Sequence, residues 1–217
     1  MNPQAARLHA ALPQTQCTRC GYPDCAGYAQ AILAGEAGIN QCPPGGSEGV
    51  ARLAALTGRP VIPLNPANGV EGPRLMAVID EAWCIGCTLS LDACPTDAIL
   101  GGNKRMHTVI EPYCTGCELC VPVCPVDCIA LEDVTRPRTG WAAWSEGQAQ
   151  QALERYVARK ARLEREAKAH EARMEAKARA KLADLPAQTH GAEGAELARK
   201  KAVIEAALAR ARARRAP

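Results

Sequence analysis

A cysteine pattern that occurs twice constrains this chain more than any other feature. Residues 83–99 read Trp-Cys-Ile-Gly-Cys-Thr-Leu-Ser-Leu-Asp-Ala-Cys-Pro-Thr-Asp-Ala-Ile, and residues 113–129 read Tyr-Cys-Thr-Gly-Cys-Glu-Leu-Cys-Val-Pro-Val-Cys-Pro-Val-Asp-Cys-Ile. A shift of thirty residues superposes Cys84 on Cys114, Cys87 on Cys117, Cys94 on Cys124, Pro95 on Pro125 and Asp97 on Asp127. The match breaks where Ser90 stands opposite Cys120. The chain has 12 Cys, and no secretory leader is read in its first residues. Thiols kept reduced as ligands are therefore expected rather than a disulfide framework.

The second copy is a complete C-x2-C-x2-C-x3-C-P run, the bacterial ferredoxin signature. In it the first three Cys hold one [4Fe–4S] cluster and the fourth reaches across to the other. Cys114, Cys117, Cys120 and Cys94 are thus expected to hold one complete cluster. Cys84, Cys87 and Cys124 would hold the other, with Ser90 in the remaining place. Three outcomes are open there: Ser90 ligates iron through its oxygen, the iron is lost to leave [3Fe–4S] or is held by water or hydroxide, or the site is empty. Zinc is the plain alternative for any C-x2-C pair, but the doubled run with its Cys-Pro endings argues for iron. Each Pro fixes the backbone beside the last ligand and removes a competing donor. Gly86 and Gly116, lacking Cβ, let each loop wrap close to a cluster. Cys128 has no place in the ligand count; a buried small side chain is expected, with a substitute ligand for Ser90 as the sharper alternative. His107 is expected to be an ordinary polar strand residue rather than a ligand.

Upstream lie Cys17, Cys20, Cys25 and Cys42, spaced C-x2-C-x4-C-x16-C-P. Four thiolates suit tetrahedral zinc as well as iron–sulfur, and the neighbouring doubled run weighs towards iron. The string Gln-Cys-x-x-Cys-Gly-Tyr-Pro-x-Cys and the later Asn-x-Cys-Pro-Pro-Gly-Gly, in that order before the doubled run, resemble the iron–sulfur domain of the B subunit of the Rnf complex. That family belongs to a bacterial ion-translocating electron-transport complex that exchanges electrons between ferredoxin and NAD. The resemblance covers Gln14 to Ile129. It implies a [4Fe–4S] cluster on Cys17, Cys20, Cys25 and Cys42, so up to three clusters in all, and single-electron transfer between a redox-protein donor and acceptor. Other subunits of a membrane complex are implied partners. Family members usually begin with a membrane-spanning helix, and no run of about eighteen uncharged apolar residues occurs here. A cytoplasmic protein, peripheral at the inner face of the membrane, is expected.

The fold class expected is α+β. A small helical iron–sulfur domain occupies residues 1–48, a linker 49–73, a ferredoxin-like domain 74–135 and a charged helical tail 136–217. Helices are expected over 1–12, from Ala26 to Ala37, from Ser47 to Thr57, from Ser145 to Leu185 and from Ala195 to Arg215. Strands are expected at Leu75–Asp80 and Met106–Glu111, and the ferredoxin fold that this domain resembles implies that such strands pair and that a short helix follows each Cys-Pro. Gly101-Gly-Asn-Lys would be an exposed connection. With 3% aromatic residues and no Phe, the apolar core is small, and bound metal is expected to support it. Residues 145–217 hold 17 Lys/Arg against 10 Asp/Glu, a net +7, and the other 144 residues hold 9 against 13, a net −4. The tail reads as a solvated extension or a docking arm for an acidic partner. A nucleic-acid-associated or redox-sensing protein is the competing class, but Glu is interleaved through the tail and no recognition motif is present. Trp141 and Trp144 would pack the helix start back on the ferredoxin-like domain. No acid–base or nucleophilic catalytic group is expected.

Overall fold

The computed structural model describes residues 2–187, 189 and 193–213. These form two compact units, residues 1–159 and 160–217. The expected α+β class holds: helices dominate, and the strands are few and short.

The first unit opens with α1 (Pro3–Ala10), capped by Asn2, whose side chain accepts the Gln4 N–H at 2.8 Å. Helix α2 (Cys25–Ala34) starts at Asp24, which accepts the Gly27 N–H at 2.7 Å. It stops at Gly35 in the left-handed conformation, three residues short of the expected end. Helix α3 (Gly46–Thr57) stops likewise at Gly58. Leu8, Leu12, Tyr28, Ile32, Ile39, Val50 and Leu53 are buried together, so the three helices share one core. Arg59 donates to the Ile32 and Ala37 carbonyls at 3.0 Å each, tying the chain after α3 to the end of α2.

Residues 60–74 continue from this core, with Leu64 packed against it and a single 3-10 turn at Pro66–Asn68. The Asn65 N–H donates to the Asn40 carbonyl at 2.9 Å, and Asn40 donates back to the Pro63 carbonyl at 2.7 Å. Strand β1 (Leu75–Ile79) follows, then the single helical turn α4 (Leu89–Ala93), β2 (Ile99–Gly102), β3 (Arg105–Val109) and β4 (Ile129–Asp133). Two expectations are corrected here. The strand before each cysteine run does not pair with its repeat-mate; β1 pairs antiparallel with β4, from Leu75↔Asp133 to Ile79↔Ile129, and β2 with β3, from Ile99↔Val109 to Gly102↔Arg105. The helical turn precedes Cys94 rather than following Cys-Pro. After each Cys-Pro the chain turns through Asp97 or Asp127, both left-handed, straight into a strand. The Gly102–Arg105 turn is therefore a hairpin tip.

Trp141 also departs from expectation. It packs on the N-terminal helices, its ring against Gly49 of α3 and its Nε1–H donating to the Ala11 carbonyl at 3.0 Å. Helix α5 (Glu146–Ala183) begins with a reciprocal cap: Gln148 accepts the Ser145 N–H at 2.9 Å, and the Ser145 hydroxyl accepts the Gln148 N–H at 3.2 Å.

The second unit takes the rest of α5 and α6 (Gly194–Ala213). An apolar groove there is lined by Met174, Val203, Ile204 and Leu208. Of the expected flexible stretch Gly191–Gly194, residues 191 and 192 lie outside the described residues, as does Arg215. No helix among the described residues is long and apolar enough to cross a membrane.

Candidate iron–sulfur sites

The doubled run folds into two crossed sets. Cys94 leaves its own run and lines one cavity with Cys114, Cys117 and Cys120. Cys124 does the reverse, lining another with Cys84, Cys87, Ser90, His107 and Cys128. Both strand pairs contribute to each cavity, Ala77, Ile99, Val109 and Leu131 to one and Ile79, His107 and Ile129 to the other.

Backbone N–H groups serve the sulfurs in matched pairs. Ala77 donates to Cys114 Sγ at 3.4 Å and His107, thirty residues on, to Cys84 Sγ at 3.3 Å. Ala98 donates to Cys94 Sγ at 3.2 Å and Cys128 to Cys124 Sγ at 3.4 Å. Gly86 and Gly116 have φ of 65° and 64°. A Cβ on Gly86 would lie 2.4 Å from the Arg105 nitrogen, and one on Gly116 2.3 Å from the Leu75 oxygen. The glycines are thus required by contact of each loop with the start of β3 or β1, a firmer reason than approach to a cluster.

The N-terminal set is carried by an irregular loop. Gln14, Gln16, Thr18 and Gly21 are all left-handed, which for three non-glycine residues is a conformation held by its surroundings. Gln14 and Gln16 are buried and bonded to each other at 3.0 Å; Gln16 accepts the Cys25 N–H at 3.0 Å. The motif's first glutamines thus support the ligand loop from beneath. Cys42 arrives from beyond α2, with Tyr28 holding its approach: the Tyr28 hydroxyl donates to the Gly38 carbonyl at 2.8 Å and accepts the Gln41 N–H at 3.0 Å.

The donor chemistry fits a cluster. Burial, followed by the neighbouring thiols, pushes Cys25 and Cys42 far above the ordinary thiol range. Burial does the same for Cys117, raised to about 12, and Cys120, raised to about 11, with Cys94 and Cys114 adding repulsion. Groups that resist charging when packed together become thiolates when a metal supplies the opposite charge. Among the described residues no three His, Cys, Asp or Glu side chains are grouped to hold a single metal ion.

Cys128 is buried as expected, but its thiol is engaged. It lies 3.5 Å from Cys124 Sγ. Burial and then the Cys124 thiol push Cys128 up to about 12. Burial opposes charge on Cys124 as well, yet the Val126 and Cys128 N–H groups and the Cys128 thiol bring it below its ordinary value. His107 is not an ordinary strand residue either. It is buried, and its Nδ1 lies 3.0 Å from Ser90 Oγ. Comparing His107 with Ala77, its thirty-residue mate, would have flagged it in the sequence.

Residues of α5 reach this region without any sequence signal. Arg159, 7% exposed, donates to the Cys94 carbonyl at 2.5 Å and to the Asp92 and Leu91 carbonyls, and lies 3.6 Å from an Asp97 oxygen. Arg155 donates to the Thr96 carbonyl at 2.8 Å and covers the Tyr113 ring at 3.3 Å. Tyr156 bonds Asp24 at 2.8 Å. The start of the tail is therefore packed, not solvated.

Two family models match the chain. Residues 12–44 match a putative Fe–S cluster model, and residues 77–131 a 4Fe-4S dicluster domain. The B subunit of the ion-translocating oxidoreductase complex from Azoarcus sp. (strain BH72) is 59% identical over 140 residues, covering 64% of this chain and 76% of the relative. Its counterpart from Thiobacillus denitrificans is 58% identical over 107 residues, 49% of this chain and 57% of the relative. That from Pseudomonas paraeruginosa is 52% identical over 140 residues, 64% and 73%. The chain belongs to the B-subunit family of this complex. Like the Rnf-type members it resembles, it is an iron–sulfur electron-transfer protein with [4Fe–4S] clusters as cofactor. The matches span between about half and three quarters of these relatives.

Proposed function

We propose that this member of the B-subunit family is a relay with three cluster sites: Cys17, Cys20, Cys25 and Cys42; Cys94, Cys114, Cys117 and Cys120; and Cys84, Cys87 and Cys124 at the Ser90 corner. A bound [4Fe–4S] cluster supplies reversible one-electron chemistry at a potential set by charge, hydrogen bonds and exposure. The chain's own task is to hold the sites close and to limit water. The observation that carries this reading is the crossed grouping of Cys94 and Cys124, which a chance pair of C-x2-C motifs would not give.

The contacts support an order for the relay. Thr115, between Cys114 and Cys117, donates to the Thr15 carbonyl at 3.0 Å, and Arg19 pairs with Glu118. The N-terminal set thus adjoins the complete quartet, and the Ser90 site lies one step beyond. Around that last site Trp83, Ile85 and Leu89 are exposed by 70%, 57% and 45%. Apolar contact surface beside half-exposed Cys84 and Cys87 supports electron exchange with a redox protein there. Other subunits of the complex, at the cytoplasmic face of the membrane, are the partners we infer from the relatives' names.

Iron and acid-labile sulfide per chain, with EPR on anaerobically purified protein, test this reading. About twelve irons support three four-iron sites, and about eleven with a three-iron signal support an open Ser90 corner. About eight remove one site from the relay. Stoichiometric zinc with little iron overturns it. Fractionation with membranes, in cells that hold the other subunits, tests the partner assignment.

A further inference from the structure

The repeat supplies an internal reference for the Ser90 corner. In the Cys120 half, Ala77 and Leu131 are paired across β1 and β4 and line the cavity that holds Cys120. Their thirty-residue mates are His107 and Gly101. Ser for Cys, His for Ala and Gly for Leu therefore sit together, beside a fourth change in the same cavity, Cys128 for Ala98. The glycine is needed for the histidine, since a Cβ at Gly101 would lie 2.2 Å from His107 Cδ2. The imidazole occupies room that the other half gives to a leucine.

Its hydrogen bonding is one-sided. Nδ1 lies 3.0 Å from Ser90 Oγ, while Nε2 is buried with no hydrogen-bond partner. The whole residue is 2% exposed and lines the cavity shared by Cys84, Cys87 and Cys124. A buried polar atom without a partner is destabilising, and native proteins rarely keep one unless an ion or another group completes it. A metal-bound histidine ordinarily donates its second ring N–H to an oxygen, which fixes the tautomer and the ring. With Nδ1–H donated to Ser90 Oγ, Nε2 keeps its lone pair, on a side chain that lines the same cavity as the three thiols.

We propose that His107, through Nε2, is the fourth ligand of the cluster held by Cys84, Cys87 and Cys124, and that Ser90 is its positioning residue rather than a ligand. The proposal rests on the reading that these three thiols hold a cluster. Three thiolates and a neutral imidazole leave the site less negative than four thiolates, and histidine in place of cysteine raises a cluster's potential. Ser90→Cys restores the missing thiol beside the ring, so it displaces the imidazole and lowers the potential of this site alone.

The test uses the full chain labelled with ¹⁵N-histidine, loaded anaerobically with iron and sulfide, counted for iron and examined by hyperfine EPR after partial reduction. The expected result is a ¹⁵N coupling of directly bound strength on one cluster, lost in His107→Ala and in Ser90→Cys, with the iron count of Ser90→Cys unchanged. A loaded four-iron site without that coupling, a three-iron signal from this site, or a coupling that persists in His107→Ala overturns the proposal. An iron count showing this site empty overturns the cluster reading beneath it instead, and the proposal falls with it.

Discussion

The two halves of the repeat share a backbone and differ in how they hold their contents. In the complete quartet Cys94 and Cys120 are buried while Cys114 and Cys117 are half-exposed, and Arg155 and Arg159 brace the turn after Cys94 from outside. In the other half Cys84, Cys87 and Cys124 are half-exposed and exposed apolar side chains surround them. The loops match closely: Gly86 and Gly116, Thr88 and Glu118, and Asp97 and Asp127 are left-handed in both copies. A duplicated scaffold thus fixes where thiols go, while the residues around it decide retention and access.

The largest effect is expected from making the halves alike at the ligand. Cys120→Ser places serine opposite Ala77, with no imidazole to assist, and roughly four irons per chain should be lost. Ser90→Ala should leave the iron count unchanged. Iron analysis of the two variants side by side breaks the comparison if they behave the same.

Next come the loop glycines. Gly86→Ala and Gly116→Ala each force a left-handed alanine against strand backbone, and should cost roughly 3 kcal/mol or more in denaturant unfolding. Gly102→Ala, where nothing lies within 4 Å of the added carbon, should stay within about 0.5 kcal/mol. Equal losses at positions 86 and 116 would show that the scaffold is symmetric in stability as well as shape.

Arg159→Ala sharpens the contrast in retention. It leaves the Leu91, Asp92 and Cys94 carbonyls without their cap, at a cost of about 1–3 kcal/mol. Iron chelation followed by absorbance should then strip the quartet faster than in the unmutated chain, with the rate at the Ser90 site unmoved.

The smallest effect concerns the junction before β1. Burial acts to raise the Glu71 pKa, but the Ser47 N–H and the Thr139 hydroxyl, both at 2.8 Å, outweigh it and bring the carboxyl below its ordinary 4.5. A lowered folded-state value means that the stability is fully present above about pH 4.5 and is lost as pH falls through the folded value. The gap in melting temperature between wild type and Glu71→Gln should be constant above that pH and close below it.

The repeat was legible because cluster ligation is written in short spacings, and the crossing of Cys94 and Cys124 follows from those spacings. Helix ends were legible at Ser145 and Gly58, but not at Gly35, where the glycine ends α2 three residues early. Strand partners were not, because β1 finds β4 across more than fifty residues and either short strand carries little pattern. The destination of Trp141 was hidden for the same reason: its partner carbonyl is 130 residues away. Arg155 and Arg159 looked like any others in a basic helix, since what distinguishes them is the set of carbonyls they meet. The chemistry of His107 lies between these cases. Its pairing with Gly101 needs the fold, yet the thirty-residue shift that exposed Ser90 also sets His107 against Ala77.

The bracing of the Cys94 turn has a consequence for biosynthesis. Arg155 and Arg159 follow every cysteine in the chain, so a ribosome delivers all twelve thiols before it delivers the brace. Until then the turn after Cys94 lacks these bonds and its quartet is open to an incoming cluster. The arrival of α5 supplies those bonds, so the brace is set only after the last thiol has been made.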